Sequence, residues 1–171
     1  MRKVLFIFGQ LRDTDVHWMA KHGQRKNLPA GSTLIHAGIS VDTLYILLEG
    51  RLSVLQQNPD RELARLAAGE IVGEMSFIES RPPVATVRAA SDVVVFCIAK
   101  QVLQKQLEFD EGFAARFYKA VAIFLSDRLR KATAGEAGTR ADADELDDAV
   151  LDNVDRAGAC FDSFSRQLFD T

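Results

Sequence analysis

Apolar positions recur along the chain with different periods, and the period changes mark the elements. Residues 4–22 suit a helix. Val16, Met19 and Ala20 share one face, Asp13 stands where an N-cap is expected, and Gly23 follows as a stop. From Lys26 to Ala99 the period falls to two. Leu44, Ile46 and Leu48 alternate with their neighbours, Glu49-Gly50 makes a tight turn, and Leu52 and Val54 alternate again. Val84–Ala89 and Val93–Ile98 are two further β-branched runs joined by Ala90-Ser91-Asp92. Short strands cut by Gly and Pro at close spacing predict an antiparallel barrel or jelly roll over about residues 25–99.

After Lys100 the period becomes 3.6. Val102, Leu103 and Leu107 predict a short helix, and Asp110 caps a longer one carrying Phe113, Phe117, Val121, Phe124 and Leu125. Arg128, Arg130 and Lys131 fall in its expected last turn, where cations suit the helix dipole. Residues 132–144 are a linker by composition. Beyond them Val150, Val154, Ala157, Phe161, Phe164 and Leu168 form one apolar stripe on an acidic helix over 145–171. That stripe suits packing on the chain's own body or against a partner helix. The fold expected is mainly β with flanking helices: a jelly roll between an N-terminal helix and C-terminal helices, with residues 1–131 as the domain.

Composition narrows the function. With 47% apolar and 26% charged residues in 171, the chain is an ordinary globular protein with one core. The net charge of −3 hides an asymmetry: residues 1–133 carry +4 and residues 134–171 carry −7. An acidic tail is the wrong place for a DNA-reading helix-turn-helix, which needs basic contacts to phosphate. Cys97 and Cys160 make no framework of disulfides and no metal motif, and no apolar run is long enough for a bilayer. Met1–Phe8 stops too soon for a secretory signal, so a cytoplasmic location is expected. His17, His22 and His36 are scattered, so neither a metal site nor a catalytic triad can be assembled, and no enzyme or cofactor is expected. Trp18 on the first helix is expected to pack.

Chemistry concentrates in residues 69–89. A strand ends at Val72, Gly73 permits close backbone approach, and Glu74–Ile78 suits one helical turn. Backbone N–H groups beside a carboxylate fit a phosphate next to a hydroxyl-bearing sugar. Gly69, Glu70, Gly73, Glu74, Met75, Ser76 and Phe77, followed by Ala85, Thr86 and Val87, resemble the phosphate-binding cassette of the cyclic nucleotide-binding domain family, of the catabolite activator and protein kinase A regulatory-subunit type. The resemblance runs from residue 12 to about 131 and includes the Gly38 and Gly50 turns.

By that resemblance, Glu74 would hold the ribose 2′-hydroxyl of cyclic AMP or cyclic GMP. Gly73, Met75 and Ser76 would offer backbone contacts, and Ala85 and Thr86 would face the cyclic phosphate. The chain departs from the family at the phosphate-neutralising arginine, which falls on Pro83, followed by Val84 where a small residue is usual. Proline has neither charge nor N–H. Glu74 would then face the anion without a counter-charge. Two like charges ~6 Å apart at an effective dielectric of ~20 repel by roughly 3 kcal/mol. Losing the pairing weakens binding by ~100-fold or more. Arg81 or Arg88 is the candidate replacement, Arg81 being the better placed.

The function this implies is a stand-alone bacterial-type sensory module without a DNA-binding domain. Ligand would reposition the C-terminal helices, read by a protein partner or in a homodimer through residues 110–131 or 145–169. The alternative is a degenerate scaffold of the same fold that binds no nucleotide.

Overall fold

A computed structural model describes residues 8–56, 61–137, 158–159, 161–164 and 166. Among the described residues up to 137 these elements follow one another: α1 (Asp13–His22), β1 (Gln24–Leu28), β2 (Thr33–Ile35), β3 (Thr43–Glu49), β4 (Leu52–Gln56), β5 (Arg61–Leu66), β6 (Ile71–Val72), α2 (Glu74–Glu79), β7 (Ala85–Ala89), β8 (Val93–Ala99), α3 (Lys100–Phe109) and α4 (Glu111–Ala137). The strands form two antiparallel four-stranded sheets, β1-β8-β3-β6 and β2-β7-β4-β5. The sheets stack without closing, so the jelly-roll expectation holds and the closed barrel does not.

The Glu49-Gly50 turn does not make a hairpin. β3 lies in the first sheet and β4 in the second, so the turn carries the chain across the sandwich. Gly50 is needed there, with φ of +86° and a would-be Cβ only 2.3 Å from the Asp92 carbonyl oxygen.

Two apolar layers result. Leu47, Leu52, Leu66, Val87, Ala89, Val93, Val95 and Cys97 fill the space between the sheets. On the outer face of the first sheet, Leu44, Ile46, Leu48, Phe96 and Ile98 meet Val16 and Met19 of α1, Leu103 and Leu107 of α3, and the α4 stripe Phe113, Phe117, Val121 and Phe124. β3 and β8 are therefore covered on both faces, and the alternating residues of β3 pack under the helices. Val102 faces outward and is partly exposed.

Helix ends differ from expectation in two places. Asp13 is the first helical residue of α1 and not its cap. The Arg12 N–H instead donates to Asp15 Oδ2 at 2.8 Å, a carboxylate reaching back one turn. Asp110 does cap α4, accepting from the Phe113 N–H at 2.8 Å. That helix continues to Ala137, through the first six residues of the expected linker. Asp15 also binds Arg116 of α4 through two bonds, Nε to Oδ2 at 2.7 Å and Nη2 to Oδ1 at 2.8 Å, which ties the first helix to α4. From the tail, Phe164 is fully buried against Phe96 and Phe8, with ring centroids 4.8 and 5.2 Å away, and Phe161 meets Phe8 edge-on. The tail positions 150, 154, 157 and 168 lie outside the described residues, as do residues 4–7 of the expected first helix.

Candidate functional site: a buried carboxylate pair closed by a helix arginine

The cassette starts where β6 ends. Gly73 has φ of +89°, and a Cβ there would stand 3.0 Å from the Thr43 carbonyl oxygen. A residue with a side chain would be strained and crowded at once, so glycine brings the start of α2 against the first residue of β3. Two glutamates flank it. Glu70 Oε1 accepts from the Ala67 N–H at 2.9 Å and holds the preceding turn. Glu74 opens α2 and is only 3% exposed.

Two such carboxylates need a cation, and α4 supplies it. Arg128 Nη1 donates to Glu74 Oε1 at 2.5 Å, and Nη2 donates to the Ile71 carbonyl at 3.2 Å. Nη2 also lies 3.8 Å from Glu70 Oε2. The guanidinium sits 4.5 Å from the centre of the Phe124 ring, a cation–π contact that fixes its stem. Phe77 of α2 meets Phe117 of α4 edge-on at 5.8 Å, a second tie between cassette and helix. Arg128 is thus the counter-charge of Glu74, a pairing the sequence alone did not assign.

Burial nevertheless dominates. It pushes the Glu74 carboxyl above the usual glutamate range, helped by the Glu70 charge and opposed by Arg128 and backbone hydrogen bonds. Lys100, the buried first residue of α3, feels the same site. Burial pulls its ammonium down, while the charges of Asp42 and Glu74 work against that.

The other expected site residues are spread out. Ser76 is buried, but Met75 is exposed on the outer side of α2. Pro83 accepts a hydrogen bond from the Gly38 N–H at 2.7 Å through its carbonyl, and Val84 is 86% exposed. Ala85 and Thr86 are half-buried on β7, and Thr86 Oγ1 accepts from the Ala37 N–H at 3.3 Å. Arg81 is exposed and has no ion-pair or side-chain hydrogen-bond partner among the described residues. Val87 and Ala89 fill the sandwich interior, so alternation puts Thr86 and Arg88 on the opposite face of β7. Two open clefts of about 440 and 500 Å³, one beside β1 and β8 and one at the β3–β4 turn, contain none of the cassette residues. Among the described residues no His, Cys, Asp and Glu side chains group as metal ligands.

In the sequence Arg128 reads only as a helix-end cation, yet a signal of its role is there. It falls four residues after Phe124, at the next step of the stripe Phe113, Phe117, Val121, Phe124. A charge at a buried-stripe position asks for a buried partner of opposite sign.

Residues 25–110 match the cyclic nucleotide-binding domain family. The chain is 27% identical over 160 residues to an uncharacterized NTE family protein of Mycobacterium tuberculosis, covering 94% of this chain and 27% of that protein. It is 32% identical over 115 residues to the voltage-gated delayed rectifier potassium channel KCNH1 of Rattus norvegicus, covering 66% of this chain and 12% of the channel. The chain thus spans about a quarter or less of these curated relatives. A solved cyclic nucleotide-binding domain from Methylobacillus flagellatus superposes with a TM-score of 0.69 at 22% identity, over 76% of this chain and 78% of that one, which is likeness of fold. With the cassette in place between β6 and β7 and the family match spanning half of the sequence, the chain belongs to the cyclic nucleotide-binding domain family, a family of regulatory modules.

Proposed function

We propose that the chain is a sensory module in which a ribose-bearing ligand takes Glu74 from Arg128 and so frees the distal part of α4. The observation that carries this reading is the Arg128–Glu74 contact. It joins the cassette residue that the family resemblance assigns to the ribose directly to the helix that would report binding. A ligand that replaces Arg128 favours the state in which α4 is released, in proportion to its differential affinity for the two states. Cyclic AMP and cyclic GMP are the ligands the family implies. A protein partner, or a second copy meeting it through residues 110–131 or 145–169, would read the displaced helix. No helix among the described residues is long and apolar enough to cross a membrane, and the reading places the module in the cytosol, acting by binding and not by catalysis.

Calorimetric titration of the chain with either cyclic nucleotide at millimolar concentration tests this. Measurable heat that Glu74→Ala removes supports it. A second reading, a scaffold of the same fold that binds no nucleotide, is favoured by Pro83 at the arginine position, and absence of heat with any ribose-bearing probe selects it.

A further inference from the structure

We infer that the site is built for a ribonucleoside, with ribose and base but no phosphate, in preference to the cyclic nucleotides. The inference rests on the reading of Glu74 as the ribose-binding group.

A ligand that takes Glu74 must replace the Arg128 guanidinium. Three acceptors converge on its fork: Glu74 Oε1, the Ile71 carbonyl oxygen and, farther off, Glu70 Oε2. Both carboxylates are buried and Glu70 is held by the Ala67 N–H, so neither can turn away to water. A buried acceptor left without a donor is strongly disfavoured, so a ligand that displaces Arg128 must bring adjacent donors. The 2′,3′-diol of a ribonucleoside brings two neighbouring O–H groups. A 3′,5′-cyclic nucleotide has given up its 3′-hydroxyl to the phosphate ring and brings one.

A cyclic nucleotide must also place its phosphate. At the family's arginine position Pro83 offers no charge and no N–H, and its carbonyl is engaged by Gly38. The residue after it, Val84, projects into solvent, and Arg81 is exposed in the loop. Glu70 and Glu74 share Arg128, and Lys100 feels the charge of Glu74, so the site holds no cation in surplus once a ligand displaces Arg128. A cyclic phosphate adds a negative charge where Pro83 stands in place of the family's arginine. A neutral ligand adds none.

Titration of the full chain with adenosine, guanosine, cyclic AMP and cyclic GMP tests this. The expected result is that at least one nucleoside binds about tenfold or more tightly than its own cyclic nucleotide, and that its 2′-deoxy form loses about tenfold or more, each tenfold corresponding to about 1.4 kcal/mol. Pro83→Arg should tighten the cyclic nucleotide by about 100-fold, the size of a restored charged pair, and leave the nucleoside within about threefold. Pro83→Lys is the second variant if the arginine form does not fold. A cyclic nucleotide that binds the native chain as tightly as its nucleoside, or tightening of both classes alike by the Pro83 variants, overturns the inference and leaves the sensory reading standing. No heat with any of the four overturns both.

Discussion

Arg128→Ala is the substitution whose effect follows most directly from the geometry. It removes the cation that Glu74 and Glu70 share, the donor to the Ile71 carbonyl and the cation–π contact with Phe124. Both carboxylates stay almost fully buried. Breaking a buried pair by deleting one partner costs about 3–5 kcal/mol, because the remaining charge is left uncompensated. The Arg128 side chain is 30% exposed, so water partly replaces it. The cost should then be about 2–3 kcal/mol, or about 4–12 °C in Tm for a chain of this size. Thermal unfolding followed by circular dichroism reads it, with Glu74→Gln and the double variant completing a cycle. Because Glu74→Gln leaves no charge at that position to strand, Arg128→Ala should cost about 1–2 kcal/mol less in that background. A loss below about 0.5 kcal/mol, or additivity of the two changes, would mean an ordinary surface ion pair and would refute the argument.

Two further outcomes follow from the perturbed groups. Burial holds the Glu74 pKa above its unfolded value, so the folded state binds the extra proton between the two values and stability rises as pH falls through that window. The Tm of the native chain minus that of Glu74→Gln should therefore become more positive as pH falls toward the ordinary glutamate range; a more negative difference would show a carboxylate stabilised on balance by its partner. Cys97, buried between the sheets, has its thiol pushed up to about 11. In a Cys160→Ser chain it should resist a thiol reagent at about pH 8 until the protein unfolds, and labelling at the rate of a free cysteine would contradict that.

Much of the fold was readable because local pattern and tertiary role coincide. Leu44, Ile46 and Leu48 alternate along β3 and mark its face under the helices, and Phe113, Phe117, Val121 and Phe124 mark the buried side of α4. What local pattern cannot give is which partner an element meets. The Glu49-Gly50 turn has hairpin chemistry, yet β3 pairs with β6 and β8 while β4 pairs with β5 and β7, so the two strands the turn joins lie in different sheets. The Asp13 cap failed for a nearby reason: Asp15 serves both the helix start and Arg116, a residue 101 positions away. At the candidate site, the turn at Gly73 and the short helix opened by Glu74 were legible in the sequence, since Gly73 answers to a backbone requirement. The Arg128 contact bridges 54 positions between two elements and depends on how α4 crosses the cassette. Only its place on the apolar stripe hinted at it.

The central claim is that Arg128 and the ligand compete for Glu74. The affinity of Arg128→Ala for adenosine and for cyclic AMP, measured by calorimetry against the native chain, tests it most directly. A ligand that must first displace an internal partner binds more weakly by the fraction of molecules already open, and deleting that partner removes the handicap. Arg128→Ala should bind more tightly, by about tenfold or more. Weaker binding would contradict it, showing that Arg128 holds the ligand and does not compete with it.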